Sequence, residues 1–267
     1  MKYLVKMAVI ICGLTFNLSI AHAGGPSFVS LSQDDFDTII QDLGGLYTHT
    51  SVSPASSLGK IFGFEVGIVA GVAQVPGVED LVAESDPTAE TAALPHAGLL
   101  AAVSLPGGFK FELEALPEKD FGDVTIKNVG MAVQWTMTDS VVTLPFDLAL
   151  KLHHTTSTLG FVQDVSGTPA DVEIENTING LQLLGSTKLG IFEPYAGLGT
   201  VKASGKMSIS GSNEFFDFTN NQFAESDVTG SQFFAGFNLN LLIFKFGLEM
   251  GKVFDARKIS TKLSLAF

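Results

Sequence analysis

The stretch FKFGLEMGKVFDARKISTKLSLAF, residues 244–267, carries the pattern that decides the fold. Apolar residues occupy every second position from Phe244 to Met250, and the same spacing returns between 259 and 267. Lysine and glutamate fall on the positions in between. Alternation with a period of two indicates β-strands that have one apolar and one polar face. The predicted loop between the two runs, Asp255-Ala256-Arg257, is short, which favours a pair of strands joined by a short connection.

The same alternation recurs through most of the chain upstream. It predicts about ten antiparallel strands, within a range of about 8–12, and several are about ten residues long, which is the length that a tilted strand needs to cross a bilayer. The further segments are 62–72, 97–105, 109–115, 129–137, 146–152, 176–187, 192–204 and 233–241.

Charged residues sort onto the polar face of these strands. Lys127 and Lys252 break the rule, but both lie near predicted strand ends, where a lysine can reach water. In a closed barrel with lipid outside, the sorted charges would face the lumen. The predicted lumen-facing residues are Glu65, Lys110, Glu112, Glu114, Asp147, Lys151, Lys245, Glu249, Lys258 and Lys262.

The N-terminus predicts export. Lys2 and Lys6 precede an apolar run, and Ala21-His22-Ala23 follows with small residues at the positions that a signal peptidase reads. Residues 1–23 are therefore predicted to be a signal peptide that is cleaved near Ala23-Gly24. The leader holds Cys12, the only cysteine, so the mature chain is expected to have no disulfide and no cysteine-based metal site.

The mature composition narrows the fold class. Its formal charge is −15, because the leader takes two lysines and no acidic residue from a chain of net charge −13. An acidic chain of this kind is not expected to bind nucleic acid. Mean hydropathy is +0.34, yet no run of about eighteen apolar residues follows the leader. A closed barrel satisfies every backbone group in lipid, so the sequence predicts an all-β, antiparallel transmembrane β-barrel.

Connection lengths and the C-terminus agree with this fold. Long gaps at 74–95, 157–171 and 206–229 mostly alternate with short ones such as 106–108 and 242–243. The end of the chain resembles the terminal strand of bacterial outer-membrane β-barrel proteins as a general class. This resemblance implies location in the cell outer membrane, contact with outer-membrane lipid and lipopolysaccharide, and recognition by the barrel assembly machinery. The expected assembly signal is Leu263, Leu265 and Phe267.

A different element precedes the barrel, which is predicted over 60–267. Ser32 can cap a helix with Asp35 three residues later, and Phe36 begins an apolar stripe that ends at Gly44-Gly45. Residues 46–59 are rich in serine and threonine and are predicted to be irregular. Two placements of this N-terminal segment, 24–59, remain open: a short periplasmic helix, or a plug inside the barrel.

The sequence predicts no catalytic residues, no cofactor and no metal site. His153 and His154 are adjacent on a predicted strand, so their side chains point to opposite faces and cannot share a metal. The favoured function is a small passive channel or uptake pore. A non-conducting structural or adhesive surface barrel is the alternative, and a barrel-embedded lipid hydrolase is a distant one, because Thr155, Thr156 and Ser157 follow the histidines without a nearby acid or asparagine.

Overall fold

The computed structural model describes residues 32–59, 61–85, 93–121, 124–141, 143–165, 168–212 and 217–267. The predicted signal peptide lies outside the described residues. Two helices, α1 (Gln33–Tyr47) and α2 (Pro76–Ser85), and a short 3-10 turn (Met137–Asp139) accompany ten strands. The strands are β1 (Gly63–Gln74), β2 (Leu94–Leu105), β3 (Phe109–Phe121), β4 (Val124–Thr136), β5 (Asp147–Val165), β6 (Thr168–Ser186), β7 (Phe192–Ser212), β8 (Asp217–Leu241), β9 (Phe244–Val253) and β10 (Ala256–Ala266).

The ten strands form one closed antiparallel barrel, in which each strand pairs with its sequence neighbours and β1 pairs with β10. The offset of the closed sheet can be measured by moving around the barrel from each residue to its partner on the next strand. Starting at Ile68 on β1 and passing through β2 to β7, this path reaches Asp227 on β8. Followed the other way, through β10 and β9, it reaches Leu239 on the same strand. The sheet therefore closes with a stagger of 12 residues, the kind of offset that tilts strands by about 40° in a barrel.

The two ends of the barrel differ. We call the end that carries the connections 106–108, 187–191 and 242–243 the turn end, and the opposite one the loop end. An outward-facing aromatic belt marks the turn end, as interfacial aromatic girdles do in membrane barrels. It consists of Phe62, Phe64, Phe109, Trp135, Phe146, Phe192, Phe244 and Phe267, all at or next to strand ends.

The prediction of ten strands is confirmed, but two predicted loops are wrong. Residues 157–171 and 206–229 are mostly strand, because β5 to β8 continue far past their neighbours at the loop end. There the two faces exchange character: Ile174 and Met207 point inward and are buried, while Glu173 and Lys206 point outward. Beyond the lipid band, the inner face of these strands is the apolar one. A search for one continuous outward-facing apolar stripe therefore does not find the extensions of β5 to β8.

Helix α1 lies inside the barrel, which excludes the periplasmic placement. Ser32 accepts a hydrogen bond from Asp35 N, and the Asp35 carboxylate accepts one from Ser32 N, so the predicted cap is present. Phe36 and Ile40 are fully buried in an apolar core with the inner faces of the extended strands. The helix runs on to Tyr47, past the predicted end at Gly44-Gly45. Helix α2, in the first long loop, was not predicted.

An irregular strap, residues 48–59, follows the helix down the lumen. His49 lies beside Glu112, Pro54 O and Ala55 O accept hydrogen bonds from Gln134, and Leu58 N donates to Ser104 Oγ near the turn end. Residues 48–56 are all buried. We call residues 33–59, helix and strap together, the plug.

Close packing of the plug depends on Gly45. A Cβ placed on Gly45 would lie 2.5 Å from Ala256 Cβ and 2.9 Å from Val253 O, neither of which can move freely. We expect Gly45→Ala to lower the free energy of unfolding by about 1–3 kcal/mol, the usual cost of overpacking. Gly185→Ala is the control, since the nearest atom to its Cβ would be Asp147 O at 4.0 Å. Urea unfolding in lipid vesicles measures both, and equal stability of the two variants would contradict tight helix packing.

Candidate functional site: the plugged lumen

All ten charged residues predicted to face the lumen lie on inward-pointing strand positions. Seven of them are buried: Glu65, Lys110, Glu112, Glu114, Lys151, Lys258 and Lys262. Asp147, Lys245 and Glu249 are only partly buried. The charged side chains of the wall face the plug and not a water-filled space, so they depend on partners in the wall and in the plug.

Glu112 on β3 is the centre of the first charge cluster. Its Oε2 lies 3.0 Å from Lys151 Nζ and 3.0 Å from His49 Nε2 of the strap. Lys110 Nζ lies 2.9 Å from Oε1, as an ion pair without hydrogen-bond geometry. Lys151 also donates to Ser51 Oγ at 2.9 Å. Because all these side chains are almost fully buried, each depends on the others for the stabilisation that water would otherwise supply.

Glu65 on β1 is the centre of the second cluster, nearer the turn end. Lys262 Nζ lies 2.8 Å from its Oε1, Ser264 Oγ donates to the same oxygen at 2.6 Å, and Lys245 Nζ lies 3.6 Å from Oε2. Lys262 also donates to Ser53 Oγ of the strap at 3.0 Å. In both clusters two lysines share one glutamate, and one lysine of each also donates to a hydroxyl group of the strap.

The junction between helix and strap is held by Lys258. Its Nζ donates to Leu46 O at 2.9 Å and to Thr48 O at 3.2 Å. The last carbonyls of a helix lack partners within the helix and carry partial negative charge. A buried ammonium group at this position satisfies them and fixes the end of α1 against β10.

The strap completes the site with residues that sequence reasoning did not select. His49, Ser51 and Ser53 contact wall charges, and Thr50 N donates to Glu114 at 2.8 Å. A signal was available, since residues 46–59 are hydroxyl-rich and contain no acidic or basic group other than His49. Such a segment suits a lumen whose charges are already paired.

The adjacent histidines occupy opposite faces, as strand geometry requires. His153 is buried in the lumen, where Gln232 Nε2 lies 3.2 Å from its Nε2. His154 points outward, and its Nδ1 lies 2.8 Å from Asn179 Oδ1. Toward the loop end, the first outward-facing polar residues on β6 and β7 are Asn179 and Thr200. Together with His154 they mark the limit of the outward apolar band on the side of the loop end.

The outer wall has a groove of about 620 Å³ at this limit. Its apolar part comes from Phe111, Met131, Leu152 and Leu181, and its polar part from His154, Asn179 and Lys202. In contrast, the space found between strap and wall beside His49 and Gln232 is about 20 Å³, room for about one water molecule.

The plug is also joined to the first long loop. Asp42 of α1 accepts a hydrogen bond from Val78 N at 2.8 Å, in the first turn of α2. Burial raises the pKa of Asp42 to about 6, although the amides of Val78 and Gly77 act to lower it. The carboxylate satisfies amides that helix α2 leaves unpaired at its start.

Residues 15–252 match the family described as a family of unknown function (DUF6588). The chain belongs to this family. The match includes the plug and nine of the ten strands, so both are parts of the family's common sequence. No curated protein matches the sequence.

Solved structures with a similar fold share little sequence. The translocator domain of the autotransporter NalP from Neisseria meningitidis has 7% identity and a TM-score of 0.48, over 78% of this chain and 88% of that one. Ail from Yersinia pestis has 12% identity and a TM-score of 0.28, over 77% and 97%. The toluene transporter TbuX from Ralstonia pickettii has 6% identity and a TM-score of 0.31, over 78% and 89%.

These solved proteins are bacterial outer-membrane β-barrels, and the fold of this family member is of the same general class. The likeness is remote, and the assignment of the barrel comes from the closed strand pairing of this chain itself. Among the described residues, no helix has the length and apolar character to cross a membrane.

Proposed function

We propose that this protein is an integral outer-membrane barrel that its own N-terminal segment closes at rest, and that it has a non-enzymatic, structural or surface role. The observation that carries the proposal is the strap, which runs through the lumen with buried contacts to the wall at successive levels. The aromatic belt and the outward apolar residues support a membrane location. The short connections of the turn end support an orientation with the loop end outside. Outer-membrane lipid and lipopolysaccharide are its proposed surroundings.

A gated uptake pore is the second candidate. The wall around the strap carries lysine, glutamate and glutamine, which would form a hydrophilic conduit if the plug moved. A barrel with only a structural role has no need for this many buried charges, because apolar packing of similar volume is often as stable. A passive channel that stays open is not supported, since the strap occupies its path.

Conductance in planar bilayers tests the closed state. We expect the refolded full-length protein to be silent, and the chain that lacks residues 24–58 to form steady ion-conducting pores. Heat-dependent migration in gels would establish that both are folded barrels. Steady conductance of the full-length protein would contradict closure by the plug. A folded, plug-free barrel that remains silent would show that the wall side chains block the lumen without the plug, which would contradict closure by the plug and remove the gated pore.

The C-terminal strand supports a separate prediction about assembly. Leu263 and Phe267 point outward, and Phe267 exchanges two backbone hydrogen bonds of 2.8 Å with Phe64, where β10 closes on β1. We propose that the assembly machinery reads Leu263, Leu265 and Phe267. Phe267→Ala keeps the backbone bonds and removes the ring, so we expect lower outer-membrane levels with normal export. Leu242→Ala, another exposed residue at the turn end, is the control. Equal levels of the two variants would contradict the proposal.

A further inference from the structure

The plug has a direction, and its first residue lies at the loop end. Gln33 Nε2 donates at 2.8 Å to Glu225 O, in the part of β8 that extends past β9. Later in the same helix, Asp42 accepts from Val78 N of the first long loop. The plug therefore starts at the loop end, which carries the first long loop and the extended parts of β5 to β8.

The plug leaves the lumen at the opposite end. Ser57 Oγ donates to Asp139 in the connection between β4 and β5, and Leu58 N donates to Ser104 Oγ at 3.0 Å, next to the tight turn 106–108. Strand β1 then begins at Gly63, and Phe64 exchanges backbone hydrogen bonds with Phe267, the residue after the end of β10. In fewer than thirty residues the chain passes through the whole barrel.

We infer that the barrel carries its own N-terminal segment to the external face, so that the start of helix α1 at Gln33 lies on the outside of the cell. This rests on the proposed outer-membrane location with the loop end outside. The alternative route, a plug inserted from the periplasm, would place the start of α1 at the turn end, next to residues such as Asp139 and Ser104.

The geometry also constrains when the segment crosses. A helix with its side chains is about 10–12 Å wide, while the strap region below α1 is occupied by buried pairs such as Lys262 with Glu65 and Lys151 with Glu112. Strand β1 follows the plug directly and forms the closing seam with β10 over ten residue pairs. Enclosure of the plug as the seam forms fits this continuity of the chain, and it requires no threading of a helix through a finished barrel.

Single cysteines test the position of the N-terminal end in intact cells. The probe is a membrane-impermeant maleimide, applied before and after the outer membrane is permeabilised. Asp34→Cys reports the start of α1, where the side chain is exposed and no contact of it is described. Asp255→Cys reports the loop end, and Leu189→Cys reports the turn end, where Leu189 is 60% exposed. We expect Asp34→Cys and Asp255→Cys to react at similar rates in intact cells, and Leu189→Cys to react only after permeabilisation.

The three variants separate the inference from the proposal on which it rests. If Asp34→Cys behaves like Leu189→Cys while Asp255→Cys is labelled from outside, the inference is wrong and the orientation stands. If Asp255→Cys is shielded and Leu189→Cys is labelled, the proposed orientation is wrong. The inference that the start of α1 lies at the external face is then wrong as well. Shielding of all three in a protein that fractionates with soluble periplasm would overturn both.

Discussion

Replacing Glu112 by Gln is expected to lower the free energy of unfolding by about 3–5 kcal/mol, the usual effect of removing one partner from a buried ion pair. Glu112 is the carboxylate that Lys110 and Lys151 share, it accepts from His49, and all four side chains are nearly inaccessible to solvent. The glutamine keeps the shape but leaves two ammonium groups without a counter-charge. The loss should also loosen the strap, since His49 and Ser51 are held through this cluster.

The matched control for Glu112→Gln is Glu225→Gln. Glu225 lies 3.1 Å from Lys206, and the two side chains are 49% and 65% exposed. Pairs of this kind contribute about 1 kcal/mol or less. Urea unfolding of the two variants in the same lipid vesicles makes the comparison. A cost for Glu112→Gln no larger than that for Glu225→Gln would show that water reaches the cluster and that the lumen is open.

Arginine at Leu150 is expected to destabilise the inserted barrel by about 2–4 kcal/mol, as charges on the lipid face near the bilayer midplane do. On β5, Leu150 lies midway between Phe146 of the aromatic belt and His154, the first polar residue on that face. Its neighbours across the strands are Trp135 and Leu183. An arginine here has the longest path to water in either direction.

Thr156→Arg is the control for Leu150→Arg on the same strand and face. Thr156 lies beyond His154 toward the loop end and is exposed, and charges near the interface cost only about 0–1 kcal/mol. Refolding equilibria in lipid vesicles give both values. Equal costs for the two arginines would mean that the apolar band does not face lipid at Leu150, as in a soluble sheet.

Most of the barrel could be predicted from the sequence, but the position of the plug inside it could not. Period-two alternation identified the strands in the membrane band, and it separated Leu150 from Lys151 because one face meets lipid. It failed above the band, where Ile174 faces inward and Glu173 outward, because the solvent on the outside changes from lipid to water. No local sequence pattern indicates where the apolar face of a strand changes from the outer to the inner side of the barrel.

The plug shows why contacts between distant segments escape sequence reasoning. The Ser32 cap and the apolar stripe from Phe36 predict the helix, since both depend on neighbours within one or two turns. Whether the stripe packs inside a barrel depends on residues such as Ala203 and Ala256, whose small size admits Gly44 and Gly45. The contacts of His49 with Glu112 and of Ser53 with Lys262 join residues 63 and 209 positions apart.

Chemical protection of the strap tests most directly whether the N-terminal segment fills the lumen. Ser56 is 6% exposed and no side-chain contact of it is described, so Ser56→Cys changes one atom in a chain whose single cysteine, Cys12, lies in the predicted signal peptide. Ser140→Cys, at an exposed position of the turn end, is the control. With a water-soluble maleimide and the folded protein in lipid vesicles, we predict rapid labelling of Ser140→Cys and labelling of Ser56→Cys only after heat unfolding. Labelling of Ser56→Cys in the folded barrel as fast as that of Ser140→Cys would contradict a closed lumen.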